Sequence, residues 1–221
     1  MKNMTLMAIG ILLFSTILMF SPQAKAQETP IFEDGFDSYP AGQQPPDPPW
    51  DLVWSGGDVE VTDSYYVSPY KSLMMRGSAG YSAVVKRDFF SSSDVIGFEV
   101  YMMPSDYAYG DSNAGSAGFF NRDIETWGRY YAKVVFTNGG IHAPNGTGGA
   151  MLQPFEPNKW YKIKLVLNKT TRRFNIWIND TLKGQDLVEQ YDPNEILSLQ
   201  LSMGWQDIIS YFDNVKVFGT G

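Results

Sequence analysis

Cysteine is missing from all 221 residues, and histidine occurs once, at His142. Without cysteine there is no disulfide, no thiol nucleophile and no zinc-thiolate site. One histidine rules out multi-histidine metal centres and leaves any serine-histidine-acid triad to be built on His142. Basic charge is scarce too, with 17 Lys and Arg against 24 Asp and Glu and a formal net charge of −7. Nucleic acid phosphates and anionic membranes require the opposite balance, so neither is an expected partner. Long apolar runs are confined to the start of the chain. Residues 1–26 combine Lys2, an apolar run from Met4 to Phe20 and Ala24-Lys25-Ala26 before Gln27, the pattern of a secretory signal peptide. Cleavage after Ala26 leaves 195 residues and, with Lys2 and Lys25 removed, a charge of −9. No later stretch nears the roughly 18 apolar residues that span a bilayer. The expectation is an exported, soluble protein in which residues 27–221 form one domain, at a length that buries a sizeable core.

What is present is period-two alternation. Tyr161, Ile163, Leu165 and Leu167 alternate with Lys162, Lys164 and Asn168, and Phe174, Ile176 and Ile178 alternate with Asn175, Trp177 and Asn179. Each run reads as a strand with one core face and one wet face. Further strands are expected over residues 72–76, 82–89, 97–103, 117–120, 129–136, 197–203 and 211–218. Asn168-Lys169-Thr170-Thr171 predicts a hairpin turn, and Asn138-Gly139-Gly140 ends the strand that finishes at Phe136. Five of the thirteen prolines fall between Pro40 and Pro49, which predicts an extended surface loop. Residues 141–144 read as loop, and residues 184–196 as a connector with room for a turn or two of helix. The fold class is all-β, a two-sheet antiparallel β-sandwich or jelly roll, with a closed barrel as the alternative.

Four segments carry a family resemblance: Phe32-Glu33-Asp34-Gly35-Phe36-Asp37, Asn158-Lys159-Trp160-Tyr161, Phe174-Asn175-Ile176-Trp177-Ile178-Asn179-Asp180 and Tyr211-Phe212-Asp213-Asn214-Val215. Together they resemble the concanavalin A-like lectin and glucanase (laminin-G-like) jelly rolls. That superfamily holds lectins, carbohydrate-binding modules, glycoside hydrolases, polysaccharide lyases and adhesive surface proteins, so the likeness implies a fold more than an activity. It also implies that the first and last strands meet and hold a structural calcium ion, for which Glu33, Asp34 and Asp213 stand at the matching places. Calcium takes six to eight oxygens, so carbonyls and water would complete the shell.

Three function classes stay open. Sugar binding needs flat aromatic faces beside hydrogen-bonding groups, and aromatics are 15% of the chain. Alternation places Arg129, Tyr131 and Lys133 on one face of a strand and Glu99 and Tyr101 on one face of another. With Trp127 and Trp205 these residues form the expected glycan-binding groove for an extracellular polysaccharide. Catalysis has two forms. The Glu-x-Asp-x-x-Glu strand of jelly-roll glucanases is absent, which removes the usual carboxylate pair of a retaining hydrolase. Lyase chemistry needs a base and cations that neutralise a uronate carboxylate, and Arg129, Tyr131, Lys133 and His142 supply those types. The third class is self-association into a surface layer or filament through an edge strand.

Overall fold

The computed structural model describes residues 27–110, 112–120, 130–145, 148–189 and 198–221. The expected leader over residues 1–26 lies outside the described residues, as do Trp127 and Arg129. Among these residues fifteen strands run in chain order: β1 (Glu28–Asp34), β2 (Asp51–Ser55), β3 (Asp58–Thr62), β4 (Ser72–Arg76), β5 (Ala83–Asp88), β6 (Val95–Pro104), β7 (Ser116–Phe120), β8 (Tyr130–Thr137), β9 (Gly140–Asn145), β10 (Gly148–Pro154), β11 (Tyr161–Asn168), β12 (Arg173–Ile178), β13 (Thr181–Val188), β14 (Ser198–Met203) and β15 (Ile209–Thr220). No helix occurs among the described residues, and so none there is long and apolar enough to cross a membrane.

All pairings are antiparallel and form two sheets. One has the order β13-β12-β11-β6-β15-β4-β3, with β1 added beside β15, and the other has the order β10-β9-β8-β7-β14-β5-β2. The molecule is a two-sheet sandwich and not a closed barrel. The expected meeting of first and last strands is present, with Glu33 opposite Lys216 and Asp34 opposite Val215. The inner faces share one apolar core, where Phe98 of one sheet meets Phe119 of the other edge to face at 5.2 Å. Such ring pairs add about 0.5–1.5 kcal/mol beyond their buried area.

The clearest alternation gives the most regular strands. Along β11 every second residue is buried, and the Asn168–Thr171 turn forms as expected, its Thr171 N–H donating to Asn168 Oδ1 at 2.9 Å. The turn after β8 places Asn138 and Gly139 at φ 47° and 73°, the left-handed pair of a tight hairpin. Two expectations need correction. Residues 141–144 are not loop but lie in β9, paired to both β8 and β10. Residues 184–188 are not connector but belong to β13, an outer strand whose partner is β12; the rest of the expected connector, residues 190–196, lies outside the described residues.

Candidate functional site

Pairing registers place side chains in rungs across the outer face of the seven-stranded sheet. One rung runs Trp54, Val84, Ser202, Ser116, Val135, His142, Met151. The next runs Asp51, Lys86, Gln200, Gly118, Lys133. The opposite side chains of the same strands, among them Leu199, Leu201, Ala117, Phe119 and Val134, fill the core. An outward face would ordinarily be wet, yet Ser116, Ser198, Gln200 and Ser202 are all buried. Two of them, Gln200 and Ser202, lie on the floor of a cleft of about 430 Å³.

Three partly exposed rings from separate segments stand at that cleft, beside the buried Phe120: Trp54 of β2, Tyr81 before β5 and Trp205 after β14. They are 36%, 59% and 43% exposed, while the floor beside them, Gln200 and Ser202, is closed. The loops that carry them are locked to one another. Ser78 and Tyr81 exchange backbone hydrogen bonds at 3.0 and 2.9 Å, Gly80 N–H donates to the Trp205 carbonyl at 3.1 Å, and Gly204 N–H donates to the Asn113 carbonyl at 3.1 Å. At Gly204 a Cβ would stand 2.3 Å from Ser112 Oγ and 2.6 Å from the Asn113 nitrogen, so only glycine lets these loops approach. The rings are thereby presented with little left to order on binding.

Among the described residues one ionisable side chain lies on the floor, Lys133. Its neighbour across the ladder is Gly118, where a Cβ would lie 2.4 Å from that of Lys133, so glycine clears the space that Lys133 occupies. Burial pushes the Lys133 ammonium down from its ordinary 10.5 to about 8. Lys86, on the same rung, is buried between Asp51 at 3.1 Å and Asp88 at 3.0 Å and is neutralised there.

Of the residues expected at a sugar groove, Trp205 lies at this cleft; so does Lys133 from the lyase set. The rest are dispersed. Glu99 and Tyr101 are on β6, which belongs to the eight-stranded sheet, so they cannot share a groove with Lys133 of β8. Glu99 instead faces two ammonium groups, Lys162 at 3.4 Å and Lys164 at 3.1 Å. Tyr131 does not stand on the wet face. A register shift between Phe119 and Phe120 makes it the extra residue of a bulge, and it is 3% exposed within the core cluster. His142 lies on the outer face, but its Nε2 is buried without a hydrogen-bond partner, 2.7 Å from where a Gly140 Cβ would be. Tyr131 and His142 are not among the residues that line the cleft, and no carboxylate lines it among the described residues.

The expected calcium ligands are committed elsewhere. Asp34 Oδ1 accepts the Phe36 N–H at 2.8 Å, while Oδ2 accepts Tyr39 Oη–H at 2.6 Å, Trp50 Nε1–H at 2.9 Å and Arg87 Nη1–H at 3.1 Å. Burial and the Asp34 hydrogen bond push the Tyr39 phenol up to about 12. Asp213 Oδ2 takes the backbone N–H groups of Val67 and Ser68 at 2.7 and 3.0 Å, and Oδ1 takes Ser68 Oγ–H at 3.2 Å and the Asn214 N–H at 2.6 Å. Burial raises Asp213 above the usual carboxylate range, against the downward pull of those amides. Glu33 is exposed and faces Lys216 at 3.8 Å. Calcium needs free oxygen lone pairs, and both aspartates point theirs at N–H and O–H donors. No cluster of three acidic or histidine side chains suits a metal among the described residues. As placed, Glu33, Asp34 and Asp213 do not fit the ion. Melting curves in millimolar calcium and in EDTA should therefore coincide, since a ligand bound only by the folded state would raise the midpoint. A clear calcium-dependent rise would restore the ion and require Asp213 to turn from its amides.

The sequence matches no family model and no curated protein. Solved structures do match. A sialidase aligns with a TM-score of 0.62 and 14% identity over 78% of this chain, which spans only 17% of that protein. The cellulose induced protein Cip1 aligns with a TM-score of 0.60 and 13% identity over 86% of this chain and 100% of its own. Domain 4 of AbnA, an extracellular arabinanase from Geobacillus stearothermophilus in complex with arabinotriose, aligns at 0.56 and 12% over 87% of this chain and 93% of its own. At such identities the likeness establishes the sandwich fold.

Proposed function

We propose that the protein is an exported, non-catalytic carbohydrate-binding sandwich of the concanavalin A-like kind, holding a saccharide chain in the cleft of the seven-stranded sheet. One observation carries this reading: Trp54, Tyr81 and Trp205 stand partly exposed around a polar floor of Gln200, Ser202 and Asn113. Pyranose rings present C–H faces that pack on flat apolar rings and hydroxyls that need donors and acceptors, and this cleft offers both. Other exposed rings, such as Phe90 and Tyr109, do not line this cleft. The arabinotriose complex of the AbnA domain, on a similar fold, supports a sugar ligand.

Trp54→Ala and Trp205→Ala should each weaken retention in a polysaccharide affinity gel by about 1–3 kcal/mol, the range for a binding anchor. Both rings are partly exposed, so midpoints of thermal unfolding should fall much less than on removal of a core ring. Unchanged retention of both variants across neutral and acidic polysaccharides would sink the reading. A binder also releases no product, so reducing ends and ultraviolet absorbance should stay flat on prolonged incubation with any retained polymer.

A further inference from the structure

Resting on that reading, we infer that the protein has a second saccharide site against the other sheet, at the tyrosine loop between β3 and β4, and so bridges two chains of a neutral polysaccharide. Tyr65, Tyr66, Val67 and Tyr70 are all exposed within six residues, a density of apolar surface that marks a contact site. The loop is held rigidly by groups other than its rings. Asp213 Oδ2 accepts the Val67 and Ser68 N–H at 2.7 and 3.0 Å, and Asp37 Oδ1 accepts the Tyr70 and Lys71 N–H at 2.7 and 3.0 Å. The Lys71 ammonium donates to the carbonyls of Asp37 and Tyr39 at 2.9 and 2.6 Å. The Tyr65 ring packs on Tyr211 at 4.8 Å, and the Tyr66 and Tyr70 rings meet edge to face at 6.3 Å. The rings are displayed with little left to order on binding.

The loop adjoins a polar cavity of about 450 Å³, and two residues belong to both: Ser68 lies in the loop and lines the cavity, and Asp37 lines it and holds the Tyr70 amide. Tyr101 of β6, Lys162 of β11, and Asn214 and Lys216 of β15 also line it. The next residues along those strands, Val100, Ile163 and Val217, are core, so this cavity and the aromatic cleft occupy opposite outer faces of the sandwich. Flat rings for sugar C–H faces thus stand beside hydroxyl, amide and ammonium groups for sugar hydroxyls, and tyrosine offers both in one side chain. The lining carries four carboxylates against two ammonium groups, a balance that repels polyanions and suits a neutral polymer. Tyr101, expected at a sugar groove, meets one on this sheet and not beside Lys133.

The test uses soluble and gel-immobilised glucan, xylan, galactan and arabinan with the native protein, Trp205→Ala, the Tyr66→Ala, Tyr70→Ala double variant, and the three changes combined. Native protein should raise the light scattering of a retained polymer by cross-linking it, and neither single-site variant should do so although each still binds. On the gel each of those variants should be retained about tenfold or more less tightly, because both sites engage one matrix in the native protein, and the combined variant should pass through. Both tyrosines are exposed and the loop hangs on backbone amides, so thermal midpoints should hold. A double variant that is retained and scatters like the native protein, while Trp205→Ala weakens retention, would overturn the second site and leave the cleft reading standing. Scattering that rises without polymer would assign the loop to contact between copies of this chain and overturn the proposal as well. Retention of a polymer by the native protein with no added scattering would overturn bridging without recourse to any variant. No retention of any polymer by the native protein would remove both readings.

Discussion

Replacing Asp34 with alanine should lower the free energy of unfolding by about 3–5 kcal/mol, the cost of breaking a buried ion pair and stranding its partner. The Asp34 side chain is 7% exposed and is the common acceptor for Arg87, Trp50, Tyr39 and the Phe36 amide. It ends β1 in the eight-stranded sheet, while Arg87 sits in β5 of the seven-stranded sheet, so the carboxylate ties the two layers together. Arg87 also lies over the Phe32 ring at 4.1 Å, and Phe36 packs on Trp50 at 5.5 Å. Removing the carboxylate leaves a guanidinium, an indole N–H and a phenol without their acceptor. Asparagine is no substitute, because its NH2 would face donors. Chemical denaturation should show a lower midpoint with an unchanged slope. Glu33→Ala, one residue away and exposed, should cost under about 0.5 kcal/mol. A loss below about 1 kcal/mol for Asp34→Ala would show that this assembly does not hold the layers.

The sandwich was legible in the sequence wherever a strand has one dry and one wet face. Each of the nine runs expected from periodicity coincides with a strand among the described residues, β11 and β12 most plainly. Of the strands absent from that reading, the short β3 does have the contrast, with Val59 and Val61 buried between outward neighbours, whereas β9 and β13 lack it. Along β13 residues 181–188 are exposed on nearly every side, and at β9 a proline and a histidine mask the pattern. Strand alternation reports which side chains share a face and not which sheet the strand joins. For that reason Glu99 and Tyr101 pair convincingly with Lys133 on paper and lie in the other sheet in space. Tyr131 fails for a different reason, since one bulge residue cancels period two locally. Trp54 and Tyr81 are bracketed by Ser55-Gly56-Gly57 and by Gly80 and Ser82, a turn chemistry that marks exposed rings. What brings them to Trp205 is the contact of three distant loops, and no local pattern encodes that.

Lys133 gives the second large effect, and it appears as a dependence of stability on pH. In the folded protein the ammonium loses its proton near pH 8; in the unfolded chain it does so near 10.5. Below pH 8 both states are protonated and the folded state carries the full desolvation penalty. Between about pH 8 and 10.5 the unfolded chain binds more protons, so stability rises with pH. At 1.36 kcal/mol for each pH unit of separation the complete relief is about 3 kcal/mol. Tyr39 acts in the opposite sense above pH 10, because its folded phenol holds its proton to about 12 and the unfolded one does not. The useful window is therefore pH 7.5 to 9.5. Lys133→Met should be more stable than the native protein at pH 7.5, and the gap should shrink as pH rises to 9.5. Parallel native and Lys133→Met curves across this window would mean that the ammonium is well solvated in the folded protein.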